Sequence, residues 1–493
     1  NEITTGKTMQ APSSMGVSVV IGDSVSEIKI DSSWGRYCDA KPHLWERTHF
    51  SRDLHIPEEE LNRIFSEPTP VEFNLEETGV FIHLRGQVMD GRRHLTVRMV
   101  NRIEPEGDTL SAVGRATIFQ CELRVDAAEF VDARWESDLE TDLTTGILYH
   151  DSRTLARGHN ISCDWNGEGT SVWTAWIPCF EVRKMQEKQD LQQLIPPMED
   201  LYDSTRFTEG LNALQQLVDA YRSWSGSLQG WYQTEAAAIL DERGYRHFES
   251  HLESIDENIR RMDSGLDLLR SSGDAAEAFR RANEAIFLSA SSPAGKLPNF
   301  RWRPFQISFI LVNLSGLLWF EEGGESDRNI IDLAWFPTGG GKTEAYLGLI
   351  ATLGFYRHLK GVDPHPSVQT IMRYTLRLLT LNQGERATRL MVGMNIVAEK
   401  HGLLGNPFNV GMWIGSAATP NDLASAKRIL NDMKETGGPP EKGPTPLQLE
   451  DCPWCGESIG NPDYWNVQNG RLIGHCANSD CELSVRPVPF SCV

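Results

Sequence analysis

The run Phe336-Pro337-Thr338-Gly339-Gly340-Gly341-Lys342-Thr343 supplies three things that phosphate chemistry needs. Its glycines let backbone N–H groups approach an anion with no side chain in the way, its lysine can reach β- and γ-phosphates, and its threonine hydroxyl can bind Mg2+. An apolar run, IIDLAWF at 330–336, precedes it, and a helical pattern, EAYLGLIATLGFYRHL at 344–359, follows. Strand, loop and helix in that order form a phosphate-binding loop. The nucleotide contacts expected here are Thr338, Gly339, Gly340, Gly341, Lys342, Thr343 and Glu344. Lys342 and Thr343 carry the catalytic role, with ATP and Mg2+ as ligands. The bland alternative is a glycine-rich turn that happens to contain Gly-Lys-Thr, and the flanking pattern argues against it.

Two further segments fit around such a loop. Upstream, Arg301-Trp302-Arg303-Pro304-Phe305-Gln306 presents a glutamine amide, which both donates and accepts and so suits an adenine edge. Gln306 and Arg303 are therefore expected at the nucleotide, with Phe305 or Trp302 near the purine. Downstream, an apolar stretch runs into Tyr374-Thr375-Leu376-Arg377-Leu378-Leu379-Thr380-Leu381-Asn382-Gln383 and then Gly384-Glu385-Arg386. Thr375, Arg377, Thr380, Gln383 and Arg386 offer hydroxyl, guanidinium and amide donors to a nucleic-acid backbone, and Arg389 extends the basic face. A solvated helix face is the plainer reading of the same residues.

Cys452-Pro453-Trp454-Cys455-Gly456 and Cys476-x4-Cys481 make two close thiol pairs about 20 residues apart. Cys452, Cys455, Cys476 and Cys481 are the expected ligands of a structural tetrathiolate Zn2+ site, with no coordination position left open for catalysis. His475 and Cys492 are spare candidates. A redox C-x-x-C reading lacks the surrounding thioredoxin-like strand and helix.

These residues need elements to hold them. Residues 1–180 show β-branched, partly alternating runs (SVVIGDSVSEIKI, VEFNLEETGVFIHLRGQV, HLTVRMVNRI, ATIFQCELRV) separated by turn signals such as Asp90-Gly91, which predicts a β-rich module. Residues 181–292 change to helical periodicity, with Leu211, Leu214, Leu217 and Val218 on one face and Leu252, Ile255, Ile259, Met262 and Leu266 on another. Residues 293–435 alternate short apolar runs with helices, as the parallel sheet of an α/β lobe does. Residues 436–493 comprise a Gly/Pro-rich linker and the cysteine insert.

The whole chain, 493 residues with formal net charge −21, holds 40% hydrophobic and 23% charged residues. That composition describes a folded, water-soluble protein and excludes a polycationic nucleic-acid glue, although residues 351–400 are locally more basic than acidic. No apolar run approaches the ~18 residues of a membrane span. The first residues have neither a basic nor an apolar signal region, so no signal peptide is expected. Nine cysteines, an odd number with a metal-type cluster, point to a reducing cytoplasm. The acidic Mg2+ partner that an NTPase needs is not legible after Lys342: Asp422, Asp432 and Glu450-Asp451 stand in the wrong contexts. The start without Met and the abrupt end suggest a piece of a longer chain in which that motif follows; the alternatives are a second polypeptide that completes the site and a loop that only binds nucleotide.

The loop has Phe336 where the strict motif has glycine, a departure that resembles the superfamily 2 helicase form. Together AFRRANEAI (278–286), FRWRPFQISFIL (300–311), WFPTGGGKTEAYLGLI (335–350), YTLRLLTLNQGERA (374–387) and the cysteine cluster resemble the DrmA family, the large helicase-like subunits of DISARM anti-phage defence systems. The resemblance is specific over about 278–481 and compatible before that. It implies a RecA-like ATPase lobe, DNA binding, a DrmB-like second helicase-related subunit, and a cytoplasmic role against phage DNA lacking host methylation. An ATP-dependent DNA helicase or translocase subunit is the expected function. The alternatives are a nucleotide-controlled DNA-recognition scaffold without unwinding and a P-loop switch that binds protein.

Overall fold

The computed structural model describes residues 13–41, 44–75, 78–107, 109–133, 147, 153–179, 189–236, 240, 242–318, 325–334, 340–361, 367–374, 377–403, 406–438, 443–468 and 470–492. The chain divides into two compact units, residues 1–183 with 239–247, and residues 184–238 with 248–493.

In the first unit, alternating apolar residues build two antiparallel sheets around one core. Strands β1 (Ser14–Ile21), β2 (Ile28–Lys41), β3 (Leu44–Ile56), β4 (Val71–Asn74), β5 (Val80–Met89), β6 (Arg92–Asn101), β7 (Phe119–Ala127), β8 (Phe130–Val131), β9 (Ala156–His159), β10 (Ser162–Trp165) and β11 (Ser171–Ala175) supply them. One sheet runs β4-β5-β6-β1-β8, with β9 also on β1, and the other β10-β11-β7-β2-β3. Val17, Val19 and Ile21 of β1, Ile82 and Leu84 of β5, Leu95 and Val97 of β6 and Ile28, Ile30 and Trp34 of β2 all point into that core, the period of two that a half-buried strand requires. Asp90 and Gly91 both take positive φ and close the β5–β6 hairpin, as a two-residue Asp-Gly turn does. Short helices α1 (Glu58–Ser66) and α2 (Leu110–Ala116) complete the unit.

The second unit is mainly helical. After α3 (Gln189–Gln193), Pro196-Pro197 stops the first helical stretch and Pro197 caps α4 (Met198–Tyr202). Then come α5 (Phe207–Trp231), α6 (Glu242–Ser271, of which 248–271 belong to this unit), α7 (Gly273–Ser291), α8 (Pro304–Leu317), the single turn α9 (Glu325–Arg328), α10 (Lys342–Lys360), α11 (Arg377–Lys400) and α12 (Leu423–Thr436). Leu211, Leu214, Leu217 and Val218 of α5 and Ile259, Met262 and Leu266 of α6 are buried in one cluster with Ala278, Phe279 and Ala282 of α7 and Ala351 and Phe355 of α10. Each large side chain of that cluster contributes roughly 1.5–3 kcal/mol of burial free energy. A buried carboxylate, Glu284, joins α7 to the end of α11 through Lys400 (2.6 Å) and His401 (2.9 Å), and also pairs with Arg281 of its own helix (3.2 Å).

The expected parallel sheet of an α/β lobe is not present among the described residues. The one parallel pairing there is two residues long, β12 (Val410–Gly411) with β15 (Phe490–Ser491), while β13 (Trp465–Gln468) and β14 (Arg471–Gly474) form an antiparallel hairpin. The apolar run at 330–334 belongs to no strand, with Ile331 96% and Leu333 87% exposed, and Val368 and Ile371 are exposed in the same way. A run of apolar residues records what a segment is suited to bury; it does not supply the neighbouring strands that a buried parallel strand needs on both sides.

Candidate nucleotide site and metal centre

The described part of the glycine loop is Gly340-Gly341-Lys342-Thr343-Glu344; Thr338 and Gly339 lie outside the described residues. Gly341 is the N-cap of α10 with φ 88°, a left-handed conformation suited to glycine, and it supplies no side-chain cap. The first N–H groups of a 19-residue helix therefore meet an electropositive end with no N-cap side chain on them, the arrangement that receives anions. Near Thr343, the Tyr374 phenol is pushed above its ordinary pKa by burial and by the nearby Tyr346.

Three side chains from two other helices grip this loop. Pro304 sits at the first position of α8, and Gln306 closes a capping box there: its Oε1 accepts from the Arg303 N–H at 2.8 Å. The Nε2 of the same amide donates to Gly341 O at 2.8 Å, and Arg303 Nη1 donates to Gly340 O at 2.8 Å. Gln306 is only 3% exposed. From the other side, Arg386 of α11 makes an ion pair with Glu344 in the first turn of α10, and the second carboxylate oxygen of Glu344 is buried with no hydrogen-bond partner. Arg303, Gln306, Gly340, Gly341, Glu344 and Arg386 thus come together. Trp302 does not join them: it is buried and donates its Nε1–H to Asn283 at 2.7 Å.

Lys342 lines a cavity of about 1550 Å3 together with Trp224, Phe305, Phe309, Tyr346 and the apolar 330–334 segment. One wall holds a residue that the sequence did not mark, Arg261 of α6. Its guanidinium is buried and makes two bonds to Asp332, at 2.6 and 2.8 Å, with Asp327 at 3.7 Å. An arginine in a helical pattern reads as surface, and its carboxylate partner lies 71 positions away, so no sequence signal reveals the pair.

Of the expected nucleic-acid contacts, Thr375 lies outside the described residues, as do the side chains of Arg377 and Thr380 at the start of α11. Gln383 is half-buried, with its Oε1 lacking a hydrogen-bond partner. Arg389 turns away from solvent and donates Nε–H to Pro453 O at 2.7 Å, tying α11 to the first cysteine turn.

Cys452, Cys455, Cys476 and Cys481 converge so that all four sulfurs lie within 4.8 Å of one another. The Cys452–Cys481 and Cys455–Cys476 separations are 3.8 and 3.5 Å, close to the roughly 3.8 Å edge of a tetrahedron with 2.3 Å Zn–S bonds. Gly456, at φ 82°, turns the chain so that its N–H bonds Cys452 O. The Leu483 N–H donates to Cys481 Sγ at 3.4 Å, the kind of support a thiolate ligand receives. Burial lifts the Cys476 thiol to about 12, and a bound cation would displace its proton. Cys492 stays apart, donating to Pro446 O. The cluster can hold Zn2+.

No protein-family model matches the chain. Across 99% of its length it is 26% identical to the DISARM protein DrmA of Bacillus paralicheniformis, and it spans 46% of that protein, about half its length. The chain resembles DrmA. The match to DrmA reaches through the N-terminal β-strands as well as the loop and cysteine motifs. No described helix is long and apolar enough to cross a membrane.

Proposed function

We propose that this chain carries the nucleotide-binding part of an ATP-dependent DNA helicase or translocase subunit in a DISARM-type anti-phage defence complex. The observation that carries this reading is the α10 N-terminus: a left-handed Gly341, no side-chain cap, and Lys342 on the cavity wall. Thr338 and Gly339 contact the phosphates, Lys342 holds the β- and γ-phosphates, and the Thr343 hydroxyl would bind Mg2+. Mg2+ there would neutralise charge developing between the β- and γ-phosphates. We read the apolar segments at 330–334 and 367–371 as strands of a RecA-like parallel sheet. Residues 1–180, 181–292, 293–435 and 436–493 are then the β-rich module, the helical module, the lobe and the zinc insert. Thr375, Arg377, Thr380 and Gln383 contact the DNA backbone, and Arg386 links that helix to Glu344. The resemblance to DrmA supports the defence role, the cytoplasmic setting, phage DNA as target and a DrmB-like partner. The four-cysteine cluster holds a structural zinc.

A second reading, a DNA-recognition scaffold controlled by bound nucleotide, is favoured by one feature. The carboxylate nearest the loop on its N-terminal side among the described residues, Asp332, is bound by Arg261 and so is not open to Mg2+. DNA binding with ATP binding but no hydrolysis by the full-length protein would select that reading; DNA-stimulated hydrolysis selects the motor.

A further inference from the structure

Gln306 is the side chain expected to read adenine, yet its amide is already engaged within the protein. Its orientation follows from its partners: the Arg303 N–H needs an acceptor and Gly341 C=O needs a donor, so Oε1 faces the first and Nε2 the second. At 3% exposure little of the amide is left facing solvent.

Those bonds have a geometric consequence for phosphate binding. A trans peptide is planar, so its C=O and N–H point in opposite directions. Fixing Gly340 O with Arg303 Nη1 sets the direction of the Gly341 N–H, and fixing Gly341 O with Gln306 Nε2 sets the direction of the Lys342 N–H. Both carbonyls are drawn toward the start of α8, so both N–H groups are turned away from it. The fit is close: a Cβ on residue 341 would lie 2.7 Å from Gln306 Nε2.

We propose that Gln306, together with Arg303, is a positioning residue that aims the Gly341 and Lys342 N–H groups at phosphate and does not read the base. This inference rests on the reading of the loop as a nucleotide site. The aromatic cavity wall, Phe305 and Tyr346, is left to cover a base without discriminating its edge.

The test measures equilibrium binding of Mg-ATP, Mg-GTP and inorganic tripolyphosphate to the full-length protein, as wild type, Gln306→Ala and Gln306→Glu, with thermal melts to establish folding. Gln306→Ala is expected to weaken all three ligands by a similar factor, roughly five- to tenfold for the lost hydrogen bonds, with the ATP-to-GTP ratio unchanged. Gln306→Glu keeps the acceptor for the Arg303 N–H and loses only the donor to Gly341. It is expected to leave the same ratio unchanged while weakening tripolyphosphate, and it carries the test if Gln306→Ala does not fold. ATP and GTP carry the same phosphates, so the added charge does not disturb their ratio. Tripolyphosphate binding that survives the substitutions while ATP weakens, or a shifted ATP-to-GTP ratio, would overturn the proposal. Wild-type protein that binds neither nucleotide nor tripolyphosphate would overturn the nucleotide reading itself and this inference with it.

Discussion

Glu344 and Arg386 occupy adjacent helices, and their ion pair is a side-chain link between the loop helix and the helix expected to meet DNA. The two side chains are 22% and 28% exposed, so their charges are only partly solvated. Removing one partner leaves the other charged and half-buried, a larger loss than removing both. Arg386→Ala should therefore destabilise the protein by about 1–3 kcal/mol. The double variant Glu344→Gln with Arg386→Ala should recover part of that. A denaturation-based double-mutant cycle measures the coupling; additive effects would show that the pair does not link the helices. In the sequence Arg386 reads as a donor to a nucleic-acid backbone, because polarity at a helix start looks the same whether its partner is phosphate or a carboxylate 42 positions away. Gln306 shows the same limit. The residue type was legible, but its bonds to Arg303 and Gly341 depend on how α8 approaches the loop.

At the scale of elements, helices and hairpins were legible wherever a periodic pattern could be satisfied locally. The α5 and α6 faces, the Pro196-Pro197 stop and the Asp90-Gly91 turn are of that kind. The parallel sheet expected over 293–435 is not present among the described residues: an apolar run does not name its partners, which for a parallel strand lie far away in the chain. Ile331 and Leu333 now offer a direct test of the RecA-like reading. Both are almost fully exposed in this chain, so Ile331→Ser with Leu333→Ser should change the stability of the isolated 493 residues by no more than about 0.5 kcal/mol. If further strands cover the segment in the full-length protein, the same double substitution should cost at least about 3 kcal/mol there, roughly 1.5–3 kcal/mol per buried side chain. Equal, small effects in both contexts would count against a completed sheet.

At the scale of the whole molecule, the cysteine cluster is an anchor for the site and not only a local staple. Arg389 of α11 bonds Pro453 O, and the Ala294 N–H, between α7 and α8, bonds Trp454 O. The metal turn is thereby held against the helix that carries Arg386 and the loop that leads to Gln306. We expect about one zinc per chain by elemental analysis, lost in Cys452→Ser, with the melting temperature falling by several degrees on metal loss. Protein that contains no zinc and melts unchanged in chelator would remove the metal from the account. On the proposed DNA-binding reading, a net charge of −21 leaves attraction to local patches, so any DNA binding should weaken with salt only as far as a few phosphate contacts require.

The measurement that bears most directly on the central claim is ATP hydrolysis by the full-length protein, with and without DNA, beside Lys342→Ala. The expected result is turnover that DNA stimulates and that Lys342→Ala reduces to background while the variant still melts as a folded protein. Absence of hydrolysis under any DNA condition, or turnover unaffected by Lys342→Ala, would contradict it.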